Sequence, residues 1–555
     1  MKRFFIAGIV MFFVSACSDN TEVTMDKAAA IIDLESYTQH VKVISSDEFA
    51  GRAPSSIGEE KTIHYLAEEF QKLGVQPGNG DSYFQEVSLV EMVTTPPSNL
   101  TITINETQNL DLRWKKDYVA ITRRMQPEVR VENSPLVFAG YGIVAPEYGW
   151  NDYKGLDVKG KTVVVLVNDP GFATRDSSLF NGRAMTYYGR WTYKYEEAAR
   201  QGATGIMIIH ETEPAGYPWE VVEGGWTGSQ FYLESDNKNM NRCALEGWLS
   251  RDAAERLLTS AGLDLQALKE AATHPEFKAI PLNASYSIKM TNTIKSSTSN
   301  NVLGLVPGHK RPEEVIIYTA HWDHFGTRPE LEGDQILNGA RDNATGTAAL
   351  LELAKAFLKA PLPPERSILL LAVTAEEQGL LGSKYYAEHP VFPLNKTVAV
   401  LNMDALNIFG KMKDITIIGK GNSELDEYVE RAAKEQGRYV RPDPEPEKGG
   451  FYRSDHFSFA RKGVPALYTK MGIDHVSKGA EWTLQQVNDW VKNHYHKPSD
   501  EYDPETWDLT GAVDDIRLLF RVGYQLSMET RFPNWYPGNE FRALRDAMMK
   551  PNLTD

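Results

Sequence analysis

Short runs that are apolar at every position recur through the second half of the chain: "EVIIYTA" (314–320), "SILLLAV" (367–373) and "VAVLNMD" (398–404), with another near "VPALY" (464–468). Between and after them the apolar spacing lengthens to a helical one. "NATGTAALLELAKAFLK" (343–359), "LDEYVERAAKEQ" (425–436) and "GAVDDIRLLFRVGYQLSME" (511–529) each predict an amphipathic helix. Continuous apolar strands alternating with such helices predict a sheet buried on both faces, with substantial parallel content. The fold class is therefore α/β, a mixed, largely parallel central sheet flanked by helices. Upstream, Ile63, Leu66, Phe70 and Leu73 share one helical face and Gly74 is placed to stop it, after an exposed, turn-rich "SSDEFAGRAPSSIG".

The pattern changes between about 131 and 290. "SPLVFAGYGIV", "KTVVVLVN" and "ATGIMIIH" read as strands and "YKYEEAARQG" as a helix, in a segment rich in glycine and aromatic residues. Because a complete α/β pattern follows independently, 131–290 reads as an inserted, β-rich domain. The catalytic body is then 36–130 together with 291–555. A chain of 555 residues exceeds what one hydrophobic core usually serves, in keeping with two domains.

The formal charge of −16 and the lack of a basic stripe argue against a nucleic-acid partner. The N-terminus changes the picture more. "MKRFFIAGIVMFFVSAC" has a basic start, an apolar segment from Phe4 to Val14 too short to span a bilayer, and small residues before Cys17, which is a secretory signal. Its ending "VSAC" resembles the bacterial lipobox. That resemblance implies a signal peptide over 1–17, lipidation of Cys17, a tether over 18–35 and an exported cell-envelope lipoprotein; Ser18 after the cysteine points to the outer membrane. The only other cysteine is Cys243, so a lipidated Cys17 leaves no intramolecular disulfide.

The candidate chemistry gathers where the apolar runs end. The first closes in "YTAHWDHFG", with His321 and Asp323; Asp342 opens the helix that follows; the second closes in "TAEEQG", with Glu376 and Glu377; the third closes in Asp404. Later, "HYHKPSDE" supplies His494, His496 and Asp500 in a loop before the last helix. Ligands of open α/β sheets bind beyond the carboxyl ends of the strands, so these groups converge on one edge. Alone, an acidic residue at a helix start is a cap and a single histidine a surface group. Together they form a concentration of carboxylates that repulsion and desolvation disfavour unless cations are present. Imidazole and carboxylate without thiolate suit zinc and admit cobalt or manganese. His321, Asp342, Glu377, Asp404 and His496 suffice for two ions if one carboxylate bridges. Glu376 is left over as a general base, and Asp323 as the group that orients His321.

These stretches resemble the co-catalytic zinc aminopeptidases of the aminopeptidase Y and aminopeptidase S type, whose relatives include glutamate carboxypeptidase, the transferrin receptor and glutaminyl cyclase. The likeness runs in order through "SSDEFAGR", "NNVLGLVPG", "YTAHWDHFG", "GARDNATGTAALLELA", "TAEEQGLLGSKYY", "LNMDALNIFG", "RSDHFSFARKGVPAL" and "YHKPSDEYD". It implies two zinc ions, one held by His321 and Asp404, the other by Glu377 and His496, with Asp342 bridging. It implies Glu376 as the base and Asp323 as the orienting aspartate. The expected reaction is removal of N-terminal residues from peptides with a free amine, a metal-bound hydroxide attacking the scissile carbonyl. The insert resembles a protease-associated domain at "VFAGYGI", "LDVKGKTVVVLVNDP" and "YKYEEAARQGATGIMIIHE". Asp455, His456, His324 and His494 are ligand types left without an ion, the first two read as outer-shell or structural. A carboxypeptidase or dipeptidase would use the same metals, with Arg453 a candidate clamp for a terminal carboxylate. A cyclase-like acyltransferase and a non-catalytic receptor-like protein are the further alternatives; the complete ligand set and the intact base argue against both.

Overall fold

The computed structural model describes residues 25–550; the signal sequence and Cys17 lie outside them. The elements that frame the site are, in chain order, helix α1 (Ile57–Leu73), strands β1 (Phe84–Thr95), β2 (Ile280–Val306) and β3 (Arg311–His321), helix α2 (Thr345–Leu358), strands β4 (Arg366–Val373), β5 (Thr397–Asn402) and β6 (Asp414–Ile418), helix α3 (Leu425–Glu435), strand β7 (Ala466–Met471), and helices α4 (Gly479–Asn493) and α5 (Thr510–Met528).

β3 lies between β4 and β5 and is parallel to both. β7 is parallel to β5 and antiparallel to β6, while the carboxyl end of β2 runs antiparallel to β4. The order β2–β4–β3–β5–β7–β6 is thus a mixed sheet whose centre is parallel, as the apolar runs predict. β4 and β5 are buried at every position, which requires cover on both faces. On one face α2, α3 and α5 pack on Ile316, Tyr318 and Leu401; on the other, Phe457, Phe459 and Trp535 pack on Ile317, Leu369 and Val400. α1 is closed by Gly74 at φ 85°, a left-handed cap that glycine adopts without strain.

Two expectations meet a different arrangement. The part of the 18–35 tether that is described is docked: Ala28, Ala29 and Ile32 are buried in the core, Arg517 donates to the Ile32 carbonyl at 2.7 Å, and Lys355 pairs with Asp33 at 2.7 Å. Small apolar residues at helical spacing cover part of the α2–α5 face, which is why this stretch does not behave as a spacer. α4 has no counterpart in the sequence reading, because only Thr483 and Trp490 of its fifteen residues are buried and so little apolar periodicity shows.

β2 is 27 residues long and joins two bodies. Its middle pairs with β1 as an antiparallel ribbon, and its first half pairs with Glu128–Phe138 in the insert. There, parallel strands Thr162–Leu166, Gly205–Ile209 and Leu245–Leu249 lie side by side, with helices Trp191–Arg200 and Arg251–Ser260. Leu100, Ile102, Leu112 and Tyr118, grouped by sequence with 36–130, pack into the same apolar cluster as Phe138 and Tyr286 of the insert. Short alternating strands look alike in either body; pairing of Ile102–Ile104 with Ala284–Tyr286 places this segment. No helix among the described residues is long and apolar enough to cross a membrane.

Candidate metal centre

The carboxyl ends of β3, β4 and β5, the turn before α2 and the loop after α4 bring the five expected ligands together. His321, the last residue of β3, is 1% exposed. Its Nε2 lies 3.2 Å from Asp342 Oδ1 and 3.6 Å from Asp404 Oδ1. Across Asp342, the other carboxylate oxygen lies 3.6 Å from His496 Nε2, and Glu377 Oε2 is 3.2 Å from that same nitrogen. Asp342 therefore stands between the two imidazoles, one oxygen toward each. Donor atoms of His321, Asp342 and Asp404 form one compact group, and those of Asp342, Glu377, His496 and His324 a second.

Local backbone geometry sets these directions. Asp342 sits in a distorted turn, Ala340–Ala344, just before α2. Asp500, 1% exposed, fixes that turn by accepting from the backbone N–H groups of Arg341 (3.0 Å) and Asp342 (3.2 Å). Asn343 ties the same turn to the end of β5: its Nδ2 donates to the Met403 carbonyl, and its oxygen accepts from Ala405 N–H. The residues bordering the ligands are bent left-handed without being glycine, namely Ala375 (φ 51°), Ala405 (φ 55°) and His496 itself (φ 56°). Such conformations are uncommon for side-chain-bearing residues and persist where the surroundings over-determine them.

Asp323 differs from the expectation in detail. Its carboxylate accepts from the N–H groups of Glu376 (3.0 Å) and Glu377 (3.4 Å), and its Oδ1 is 3.9 Å from His321 Nδ1. The closer partner of His321 Nδ1 is the Asp323 backbone carbonyl, at 3.1 Å. One residue thus orients the imidazole through its main chain and the two glutamates through its side chain. Glu376 Oε2 lies 4.0 Å from His321 Nε2, on the inner side of the cluster.

The protonation energetics are those of a site built for cations. Burial, reinforced by Glu377, Asp455 and Asp404 and opposed by His321, holds Glu376 well above the usual carboxylate range. Burial and then Asp342 push Glu377 up to about 7, against His496. Burial alone would lower His496, but the neighbouring Asp342 and Glu377 carboxylates push it to about 10. His321 is likewise raised by Glu376, Asp342 and Asp404 in spite of burial. Even so, His321 Nε2, His496 Nε2 and Glu377 Oε1 have no hydrogen-bond partner although buried. Orphaned donors converging on shared carboxylates fit divalent metal, and the nitrogen–oxygen set fits zinc.

Of the spare ligand types, His494 is turned away, its Nδ1 on the Ser499 carbonyl at 2.8 Å. His456 is wedged between Phe451 and Tyr468 at ring separations of 4.6 and 4.8 Å. Asp455 is fully buried beside Glu376 and is pushed up to about 7 by burial. His324 is the exception, since it reaches the second group. Arg52, fully buried, escaped the sequence reading altogether. It donates to the carbonyls of Trp322, Ile44, Asn338 and Gly339, clamping the loop after β3 to the one before Asp342. An arginine in a turn-rich stretch reads as solvated, and only the fold shows otherwise. Tyr468, whose hydroxyl donates to Asp404 at 3.2 Å, lies inside an apolar strand and gave no signal either.

An α/β sheet carries a buried imidazole–carboxylate cluster at the ends of its parallel strands, the donor set of a metal site. Residues 301–520, which hold all five expected ligands, match the model of peptidase family M28. Mouse aminopeptidase NAALADL1 is 28% identical over 198 residues, 33% of this chain and 25% of that protein. The probable glutamate carboxypeptidase AMP1 of Arabidopsis thaliana is 26% identical over 384 residues, 64% of this chain and 48% of its own. The chain thus spans between a quarter and about half of these relatives. The solved aminopeptidase from Aneurinibacillus sp. strain AM-1 superposes with a TM-score of 0.49 at 20% identity, covering 92% of this chain and 97% of that one.

Proposed function

We propose that the protein is a zinc-dependent exopeptidase acting as an aminopeptidase on peptides with a free N-terminus. The observation that carries this reading is Asp342 standing between His321 and His496 with Asp404 and Glu377 on either side. That arrangement supports a reading of two adjoining ions sharing one carboxylate, and the M28 match supports hydrolysis of peptide bonds. Zinc at these positions supplies polarisation of the scissile carbonyl and acidification of water. Glu376 is the base. Its carboxylate takes the proton of the attacking water and returns it to the departing amine. Asp323 keeps Glu376 and Glu377 in register through their N–H groups.

The carboxypeptidase or dipeptidase reading rests on a separate observation. Arg190 of the insert, 8% exposed, is pushed down to about 10 by burial and then by the guanidinium of Arg453, which is itself exposed. Neither has a carboxylate partner among the described residues. Such a pair suits a substrate carboxylate. The deciding experiment compares free-amine, N-acetylated and C-terminally amidated forms of one short peptide, with chelator and zinc add-back. Loss of activity on acetylation supports the aminopeptidase, and loss on amidation alone moves the assignment to the carboxyl end of the substrate.

The insert is proposed as a protease-associated domain that walls one side of the site. Its strand Ser229–Leu233 pairs with β1 and packs at Ala375 and Leu381, either side of the two glutamates. Export and anchoring by lipid on Cys17, at the outer membrane, complete the proposal. Labelling with a fatty-acid analogue in the parent and in Cys17→Ser tests it; equal labelling of both would sink it.

A further inference from the structure

His324 has the same surroundings as His321. Its ring is fully buried, and its Nδ1 lies 2.9 Å from the Leu337 carbonyl, as the Nδ1 of His321 lies 3.1 Å from that of Asp323. A ring nitrogen donating to a backbone carbonyl fixes the tautomer and leaves the other nitrogen as a lone pair, the pattern of metal-bound histidines. The position is held from every side. Its N–H donates to the Arg52 carbonyl at 3.2 Å, and Phe325 abuts the ring at a centroid distance of 5.0 Å. Gly339, at φ 53°, lies so close beneath that an added Cβ would stand 2.5 Å from the imidazole Cγ. Only a glycine there admits the ring.

The free nitrogen faces the wrong partner for a metal-free protein. His324 Nε2 is 3.5 Å from Glu377 Oε1, and neither atom has a hydrogen-bond partner. A lone pair opposed to a carboxylate oxygen in a buried place is repulsive unless a proton or a metal ion lies between, and no hydrogen bond joins these two atoms. The same nitrogen is within 4.8 Å of donor atoms from Asp342 and His496. We propose that His324 is a ligand of the ion held by Asp342, Glu377 and His496. That position then has four protein ligands, against three at His321, Asp342 and Asp404.

The inference builds on the metal-site reading and has its own consequence. Four protein donors complete a tetrahedral shell, whereas three leave a place open. The two positions therefore fill in order, the His324 position first.

The test uses the full chain, stripped of metal and titrated with zinc against a competing chelator, in the parent, His324→Gln and His324→Ala. X-ray absorption is recorded at one zinc per chain. Two imidazoles on that first ion in the parent and one in the variants, with about 100-fold weaker first-site affinity, are expected. Added imidazole should restore affinity to His324→Ala, and circular dichroism of the metal-free forms checks that each variant folds. One imidazole in the parent, or a weakened site whose imidazole count does not change on substitution, would overturn the ligand role while leaving the metal site standing. Failure of the folded parent to bind zinc at all would instead remove the reading on which it rests.

Discussion

At the level of single residues, the site is a contest between buried carboxylates and the protons or metals that neutralise them. Glu376→Gln keeps the shape and removes the base, so turnover should fall by about 100- to 10,000-fold while zinc content stays at the parental value. Zinc lost in step with activity would make Glu376 a ligand instead. The raised groups also set a pH dependence. His496 moves from 6.5 to about 10 and Glu377 from 4.5 to about 7 in the metal-free chain. A raised folded value contributes stability below the unfolded pKa that is lost as pH climbs through the folded one. The metal-free protein should therefore weaken between about pH 4.5 and 10 through these two groups. Metal needs both deprotonated, so its affinity rises over the same range. The gap in melting temperature between loaded and stripped protein should widen from acid to alkaline pH; a constant gap would show that these groups do not bear on metal binding.

At the level of elements, three strand ends and one distorted turn bring the ligands to a common edge. The joint between α2 and β5 is close-packed. A Cβ on Gly346 would stand 2.5 Å from Asn343 Oδ1 and 2.6 Å from the Met403 carbonyl. Asn343 is the side chain that links the Asp342 turn to Met403 and Ala405. Gly346→Val should cost about 1–3 kcal/mol in denaturant unfolding and weaken zinc binding, because the strain falls on the turn that carries Asp342. Loss of stability with unchanged zinc affinity would place the strain elsewhere. The strands and most helices were legible in the sequence, for apolar runs of strand length and helical stripes carry their own period. α4 was not. It is mostly solvated and exists to stack Trp490 on Arg341 at 4.4 Å and to deliver His496, a purpose with no local signature.

At the level of the whole molecule, the insert is fastened to the catalytic body beside the site. Tyr187 packs on Phe457 at 5.1 Å, and Glu196 pairs with Arg461 at 2.7 Å. Those contacts brace the segment that holds Arg453, Asp455 and His456. Tyr187→Ala should speed amide hydrogen exchange across 446–461 while leaving α2 and α5 protected, since their core does not include the interface. Uniform acceleration would mean global destabilisation instead. Removal of this contact should also raise KM more than it lowers kcat if the insert shapes access to the site.

Four of the five expected ligands and the expected base stood out in the chain because each follows an apolar run, or opens a helix, at the edge where strand ends meet, whereas His496 lies in a loop and stood out only by its residue type. Ligand chemistry at those positions is a local property. Which atoms meet was decided only by the fold. Asp323 orients His321 through its carbonyl, Arg52 is a buried clamp, and His324 turns from a spare residue into a neighbour of Glu377. These depend on how loops distant in sequence close over one another, and on left-handed residues at 375, 405 and 496 that no glycine announces. Burial then converts ordinary side chains into a site, because desolvation makes an unpaired charge costly and a cation the remedy.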